Sequence, residues 1–467
     1  MTTTFTDRWG VPVQGGDGAA VALLDQAIED LVGLGGDPVG GTDRAIAADP
    51  ALALARIYRA YLSLYGTSAE GVAQAIELLT TVAPETADPR EAHHLAAARA
   101  WADGDWHAAT RHLDRALLAN PRDLLALKVA QDLHFLVGNR AELRDVAARV
   151  LPAWPRGDPA WGFVQGIYAF GLEENGDYRG AERAARNALE CNPGDVWGVH
   201  ALAHVFEMEG SHEAGVSFLT GSSPNWERSY FAVHNWWHLG LYLLELGRLN
   251  DAVALYDQRV RAQPPTGWLD IIDAAALLWR LALYGQDVAT RAQALAADIS
   301  DQVGPPVYLF NDWHALMTFA LAGDHARSAT ILAANQDAGG RTNSRAARRA
   351  GLDLLSAFSA FATGRPQLTA GLLTEARHEA SVVGGSHAQR DIIDLTLIAA
   401  AARGGEAALV RALVAERVAR KPPAAASALA LVLANGGYET WLAWLGRPDL
   451  AWKRPSWKNV AGCTLGS

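Results

Sequence analysis

Four histidines stand in two pairs with i, i+4 spacing between residues 200 and 238. His200 and His204 bound the stretch His-Ala-Leu-Ala-His, and His234 and His238 bound the stretch His-Asn-Trp-Trp-His. In a helix this spacing places both side chains of a pair on one face. Imidazole titrates near neutral pH and serves as an acid, a base or a metal ligand. The two pairs are therefore a candidate site if neighbouring helices bring their faces together.

The elements that must position these pairs are helices of a repeating unit. Glycines recur at spacings of 34, 38, 34 and 37 residues, at Gly104, Gly138, Gly176, Gly210 and Gly247. Seventeen residues after four of them a proline ends a second helix, because proline cannot continue one. The segments 176–193 and 234–265 closely resemble the tetratricopeptide repeat. The sequence predicts an all-α, right-handed α-solenoid of tetratricopeptide-like helical hairpins, curled around an inward pocket.

The same pattern divides the chain into four expected segments. Asp-Pro breaks and short helical stretches mark the first, the glycine register marks the second, weaker hairpins mark the third, and a Trp-, Gly- and Pro-rich composition marks the last. We expect an N-terminal helical cap (1–89), five repeats (90–266), weaker hairpins that close the array (267–436) and an irregular tail (437–467). Convincing alternation of apolar and polar residues over strand length is absent from the sequence, so no strands are expected.

Charge and composition exclude several classes of protein. A net charge of −11 argues against a nucleic-acid or anionic-membrane partner, because neither is attracted by a negative field. The chain has no long apolar run of membrane-spanning type and no secretory leader pattern at its start. Its two cysteines, Cys191 and Cys463, give no disulfide framework. We expect a cytoplasmic protein with no membrane and no nucleic-acid partner, and a homo-oligomer is left open.

Repeat register predicts which side chains face inward. Counted from Val196, His200, His204 and Glu207 occupy positions that line the concave face of a tetratricopeptide array. In the next repeat His234 and Trp237 take such positions. An Asn-x-Trp-His element then occurs twice at one place in the repeat, at 235–238 and 311–314. A single inward histidine is usually a satisfied buried group, but five on three helices indicate a site.

A further motif, Gly-Gly-Ser-His-Ala-Gln-Arg-Asp, spans 384–391. Ser386 is a good N-cap, and the turn delivers His387 and Arg390 from a helix N-terminus, where an anion is favoured. If the array curls far enough, this turn closes the pocket. The alternative is a capped surface turn with an Arg390–Asp391 salt bridge.

Together these motifs resemble one family, the tetratricopeptide repeat protein 38 family. The resemblance rests on 200–208, 234–238, 273–281, 310–314 and 384–391, covers about residues 90 to 420, and includes 170–174. Position 313 is Trp where the pattern suggests a smaller apolar residue. The resemblance implies the architecture and the site positions and transfers no substrate. The Ala- and Arg-rich composition suggests a bacterial member.

We expect the inward pocket to bind a small polar or aromatic molecule and to process it by histidine acid–base chemistry of a hydrolase type. His238 or His204 would be the base or acid, oriented by Glu207 or Asp273. The expected catalytic residues are His200, His204, Glu207, His238 and Asp273. The expected substrate-binding residues are His234, Trp237, Asp312, Trp313, His314, Ser386, His387, Arg390 and Asp391.

Two alternatives stay open at this stage. The first is a metal, since His-x3-His pairs with Glu207 supply nitrogen and oxygen ligands. We expect no metal and no cofactor, because the flanking signatures of known metal motifs are missing and Trp237 suggests an organic ligand. The second is a non-catalytic tetratricopeptide scaffold that binds a peptide or protein in its groove. An open groove would favour the scaffold, and a pocket closed by the C-terminal helices would favour the enzyme.

Overall fold

The computed structural model describes residues 3–82, 88–336 and 341–422. Over these ranges the fold is an all-α solenoid of helical hairpins, apart from one two-stranded sheet at the start. The predicted fold class is therefore confirmed. The expected irregular tail at 437–467 lies outside the described residues.

The N-terminal region contains a β-hairpin that the sequence pattern did not predict. Strand β1 (Thr3–Thr6) pairs antiparallel with β2 (Pro12–Gly15). The carboxylate of Asp7 accepts the backbone N–H groups of Trp9 and Val11 within the turn, and Arg90 pairs with that carboxylate at 2.9 Å. The hairpin thus depends on a distant arginine, which a local pattern cannot reveal. Two helical hairpins follow it: α1 (Gly18–Val32) with α2 (Pro38–Ala48), and α3 (Ala53–Leu64) with α4 (Ala69–Thr80).

Five hairpins follow in the region where the glycine register is strong. In each, the first helix is largely buried and the second exposes one face. The pairs are α5 (Pro89–Ala102) with α6 (Trp106–Ala119), α7 (Leu124–Leu136) with α8 (Arg140–Val150), α9 (Trp161–Glu174) with α10 (Tyr178–Cys191), α11 (Val196–Met208) with α12 (His212–Trp226), and α13 (Ala232–Glu245) with α14 (Leu249–Leu255). The helices α6 and α10 end two residues before a proline, as the sequence predicts.

Hairpins of the same kind continue beyond residue 266. They are α15 (Trp268–Leu283) with α16 (Ala289–Ile299), α17 (Leu309–Leu321) with α18 (His325–Gln336), α19 (Thr342–Ala346) and α20 (Leu352–Ala362) with α21 (Pro366–Ala376), and α22 (His387–Arg403) with α23 (Ala407–Arg420). Short 3-10 turns at Leu151–Ala153 and Ala380–Val383, and π turns at Tyr256–Val260 and Ala347–Gly351, interrupt the series.

A left-handed glycine closes the first helix of nine hairpins. Each has φ between 70° and 83°, a conformation that costs glycine little: Gly104, Gly138, Gly176, Gly210, Gly247, Gly285, Gly323, Gly364 and Gly405. The predicted glycine register is confirmed and extends to the last hairpin.

The array closes on itself, because late helices contact early ones. The backbone N–H of Thr342 donates to the carbonyl of Gly104 at 3.1 Å, and Asn311 donates to the Thr67 hydroxyl at 2.8 Å. Helix α22 packs against α15, and the backbone N–H of its first residue, His387, donates to Glu174 at the end of α9. The interior of the curl is thus covered by the C-terminal helices.

Buried side chains fill that interior. One small cavity, with a volume of about 10 Å³, lies between Trp106, Tyr308 and Thr342, away from the histidine pairs. That is room for about one water molecule. The pocket for an organic ligand that the sequence suggests stays a prediction.

Candidate metal centre

Four consecutive inward helices supply the polar side chains at the centre of the fold. They lie on buried helix faces: Glu173 on α9, His200, His204 and Glu207 on α11, His234 and His238 on α13, and Asp273 on α15. The repeat register predicts this for His200, His204, Glu207 and His234. Asp195 starts α11 by accepting the backbone N–H of Gly198 at 2.7 Å. All seven side chains are buried, so their polar atoms must find partners inside the protein.

The four imidazoles converge on one point. The Nε2 atom of His200 lies 3.0 Å from Nε2 of His204 and 3.2 Å from Nε2 of His234. One nitrogen from each of these rings and from His238 lies within 4.8 Å of the others. Nitrogens around a tetrahedral zinc ion, with bonds of 2.0–2.1 Å, are about 3.3 Å apart. The observed spacing suits such an ion without a change of fold.

Three of the four imidazole rings contact a carboxylate. Each carboxylate contacts the Nδ1 atom, on the side of the ring away from the convergence point. The pairs are His204 with Glu173 (3.2 Å), His234 with Asp273 (2.9 Å) and His238 with Glu207 (3.4 Å). A carboxylate backing a histidine is the usual support of a metal-bound imidazole, since it fixes the ring and raises its basicity. Glu207 lies beside His238, as the sequence predicts, whereas Asp273 lies beside His234 instead of His238 or His204.

This arrangement leaves nitrogen lone pairs facing one another. An ionised carboxylate only accepts hydrogen bonds, so Nδ1 of His234 and of His238 is the donor and their Nε2 atoms carry lone pairs. His200 has one proton to offer, and its Nδ1 has no partner among the described residues. Nε2 of His238 likewise has none there. A buried polar atom without a partner costs about 1–3 kcal/mol, and a cation at the convergence point removes that cost.

Burial keeps the rings of His200 and His238 neutral. It lowers the pKa of His200 and of His238 well below the usual value, and the neighbouring imidazoles lower it further. Burial alone would raise the pKa of Glu207, but Lys421 lowers it to about 2. Burial would likewise raise the pKa of Glu173, but His387 and His204 lower it to about 2. His200 and His238 are thus neutral and Glu173 and Glu207 are ionised, the forms in which imidazoles and carboxylates ligate metals.

Trp237 forms one wall of the cluster. Its ring stacks on His234 at 5.1 Å and meets His238 edge-on at 4.9 Å, and the guanidinium of Arg280 lies 5.4 Å from its centroid. Arg280 is anchored by the carbonyl of Ala388, at the start of α22. Arg280 belongs to the motif at 273–281, but the sequence pattern indicates no role for it.

The turn at 384–391 meets the cluster from the other side. Nε2 of His387 lies 2.7 Å from Glu173, and its ring lies 5.6 Å from that of His204. Glu173 and Glu174 raise the pKa of His387 to about 9, against the effect of burial. Gly384 and Gly385 both have positive φ, and a Cβ on Gly385 would lie 2.5 Å from Phe310. The turn therefore needs glycine to dock this closely.

This turn is stabilised by the side chains of Ser386, Arg390 and Asp391. Ser386 and Gln389 form a capping box at the start of α22. Arg390 donates to the carbonyls of Gly384 and Gly385 and lies 3.7 Å from Glu174, while Asp391 pairs with Arg417 at 2.8 Å. The alternative of a surface Arg390–Asp391 salt bridge is therefore wrong, since the two side chains are half-buried and pair with different partners.

Helix α23 adds two buried cations that sequence reasoning missed. Lys421, just after the helix, donates to Glu207 at 2.8 Å, and Arg417 donates to Glu245 at 2.8 Å. The pairs join residues 214 and 172 positions apart. The only sequence signal was the buried acids themselves, which need partners.

Asp312, Trp313 and His314 have partners of their own outside the four-histidine cluster, and their assignment to one common pocket stays a prediction. Asp312 accepts from Asn335 of α18 at 3.1 Å, and burial raises its pKa to about 7. Trp313 packs on Phe358 at 5.0 Å, and Nδ1 of His314 donates to the carbonyl of Phe310 at 2.7 Å. The Asn-x-Trp-His element thus recurs in sequence, but its second copy faces the packing of α18 and α20.

Comparisons with known proteins add little to this geometry. No family model matches the chain. Among solved structures, the chain is similar to the P58(IPK) TPR domain, with 15% identity over 83% of this chain and 99% of that one, at a TM-score of 0.20. Likeness at that score supports no argument, so the helical-repeat assignment depends on the helices described above. Over the described ranges, every helix is too short or too polar to cross a membrane.

Proposed function

We propose that this protein binds a divalent transition-metal ion at the centre of its helical array, with Nε2 of His200, His204, His234 and His238 as ligands. One observation carries the proposal: four buried imidazoles point at one another while carboxylates occupy the far side of three of them. Nitrogen-only donors favour zinc, copper, nickel or iron over magnesium or calcium. This departs from our expectation of a metal-free site, which no observation tests.

The proposed ion would stabilise the fold and would not take part in a reaction. Closed sites with four protein ligands are structural, whereas catalytic sites keep a position open for water or substrate. The ligands come from α11 and α13, and the backing carboxylates come from α9, α11 and α15. An ion at this point would tie four consecutive repeats together. Solenoid arrays present extended binding surfaces, and the fold supports a scaffold or binding role.

We further propose membership of the tetratricopeptide repeat protein 38 family. Five of the motifs behind that resemblance, at 170–174, 200–208, 234–238, 273–281 and 384–391, supply the histidines, their carboxylates and the covering turn. If the membership holds, the metal site is a property of the family.

Acid–base processing of a small molecule is a second candidate. The His234–Asp273 and His238–Glu207 pairs have the form of a general base with its orienting acid. The candidate requires that the covering helices open, since the rings are buried. A thermal-shift screen with small carboxylates, amides and esters tests it. Stabilisation of the wild type but not of His238→Gln would support it.

Metal competition tests the main proposal. The full-length chain is titrated with zinc against a chromophoric chelator of about micromolar affinity. Wild type should take the metal, and His238→Gln should lose it, because glutamine fills the same space without an imidazole nitrogen. His325→Gln is the matched control, since His325 is exposed on α18. Failure of the wild type to compete, or equal competition by His238→Gln, would overturn the proposal.

A further inference from the structure

A second set of ligand-type side chains adjoins the four histidines and shares His204 with them. It comprises Glu173 and Glu174 at the end of α9, His204 on α11 and His387 at the start of α22. One nitrogen or oxygen from each lies within 4.8 Å of the others. His204 thus presents one ring nitrogen to each set. The two sets lie on opposite sides of a single imidazole.

We propose that this second set binds a second divalent metal ion, so that the centre is dinuclear and the His204 ring bridges the two ions. This inference rests on the proposed function, because the bridge needs an ion among the four histidines. The second ion would take carboxylate oxygens of Glu173 and Glu174 and a ring nitrogen of His387. Such mixed nitrogen and oxygen donors suit zinc, manganese, iron or cobalt.

The orientation of the buried atoms supports a shared ion. Nδ1 of His204 lies 3.2 Å from Glu173, and Nε2 of His387 lies 2.7 Å from the other oxygen of the same carboxylate. Yet both oxygens of Glu173 and both of these nitrogens lack a well-directed hydrogen bond among the described residues. Close nitrogen and oxygen atoms whose lone pairs are not directed at one another are expected where each lone pair is directed at a metal ion between them. Glu173 is fully buried, so solvent does not explain the arrangement.

Charge is also compatible with a second ion. Two carboxylates balance one divalent ion, and Arg390, 3.7 Å from Glu174, is held mainly by backbone carbonyls. Binding of the ion would release the proton on His387 and the Nδ1 proton of His204 to solvent. No electron transfer is involved. The competing explanation is a plain ion pair in which protonated His387 pairs with Glu173 and only the first ion binds.

The position of the set gives the second ion a specific consequence. His387 belongs to the last hairpin, whereas Glu173, Glu174 and His204 belong to the third and fourth of the strong repeats. An ion between them would join the C-terminal hairpin directly to the middle of the array. The first ion, by contrast, would have ligands from two adjacent repeats only.

Zinc stoichiometry separates the possibilities. The full-length chain is dialysed against buffered zinc and analysed for bound metal, for wild type, Glu174→Gln and His134→Gln. His134 lies in an unrelated group with Asp114 and Glu142 and is the matched control. We expect about two ions per wild-type chain, about one for Glu174→Gln, and no change for His134→Gln.

Each other outcome is decisive. About one ion in the wild type overturns the second site and leaves the first. Absence of bound zinc in the wild type overturns both. About two ions that fall to one with His134→Gln, and not with Glu174→Gln, assign the second ion elsewhere and overturn the inference. A His387→Gln variant with an unchanged far-ultraviolet spectrum repeats the test if Glu174→Gln does not fold.

The bridge itself has a spectroscopic signature. Copper(II) ions that share an imidazole are magnetically coupled, so their electron paramagnetic resonance signal differs from that of isolated copper. Wild type loaded with copper should give the coupled signal, and Glu174→Gln or His387→Gln should give an isolated one. Isolated signals from both ions in the wild type would contradict a bridging His204.

Discussion

The Nε2 atoms of His200 and His234 lie 3.2 Å apart, although the two residues belong to consecutive repeats. They are separated by 34 residues (234 − 200), and so are His204 and His238 (238 − 204). That interval is the length of a tetratricopeptide repeat. The repeat therefore places one i, i+4 pair of imidazoles directly beside the next. A metal site built this way needs two adjacent repeats and no special loop.

Replacing Asp273 with Asn should weaken zinc binding about 10- to 100-fold, because the ring of His234 loses the charge that fixes it and raises its basicity. The number of bound ions should not change, since Asp273 is not a ligand. Chelator competition measures the effect. Asp301→Asn, an exposed aspartate, is the control. Unchanged affinity in Asp273→Asn would show that the carboxylate does not support a metal ligand.

Removing the metal should lower the melting temperature. A ligand at 100 times its Kd stabilises the native state by about 2.7 kcal/mol, and the ion is proposed to bind only the folded array. Differential scanning calorimetry of chelator-treated and zinc-reconstituted protein measures the change. His204→Gln should melt at one temperature in both conditions. Equal melting of treated and reconstituted wild type would remove the structural role proposed for the ion.

Replacing Arg417 with Met should destabilise the protein by about 3–5 kcal/mol, because Glu245 and Asp391 are left buried without their main cation. Arg420→Met is the matched control. Arg420 is largely exposed and pairs with Asp394, so its loss should cost less than about 1 kcal/mol. Urea unfolding measures both. Similar losses in the two variants would contradict the central role of Arg417 in docking α23.

Replacing Asp312 should change how the free energy of unfolding depends on pH. Burial raises its folded pKa from 3.8 to about 7, so the protonated form is the stable buried form. The contribution of Asp312 to the free energy of unfolding is fully present below the pKa that it has in the unfolded chain. This contribution is lost as pH rises through about 7. Asp312→Asn should therefore gain about 2–4 kcal/mol relative to wild type between pH 4 and pH 8. Parallel curves for the two proteins would mean that the Asp312 pKa is not raised.

The local parts of this structure could be predicted from the sequence. Gly104 to Gly247 marked the helix ends, and i, i+4 spacing placed the histidine pairs on inward faces, because both depend on short-range geometry. The partners of the buried acids could not be predicted. Lys421 meets Glu207 across 214 residues, and only the closure of the array brings them together.

The recurrence of the Asn-x-Trp-His element predicted the site less well than the i, i+4 spacing of the histidines did. His238 and His314 occupy the same place in an Asn-x-Trp-His element, yet only His238 faces other imidazoles. The side chains that surround each histidine account for this difference. His238 lies beside His204 of the preceding repeat, whereas His314 packs on Phe310 and Trp313. A side chain's role in an array depends on the repeat before it, which a match within one repeat does not reveal.

X-ray absorption at the zinc edge of the reconstituted protein tests the central claim most directly. The account predicts a first shell of nitrogen scatterers at about 2.0–2.1 Å with the outer-shell pattern of several imidazoles. His200→Gln should lose part of that imidazole pattern, whereas His325→Gln should keep it. A first shell made of water or carboxylate oxygen alone, or a spectrum unchanged by His200→Gln, would contradict the four-histidine metal site.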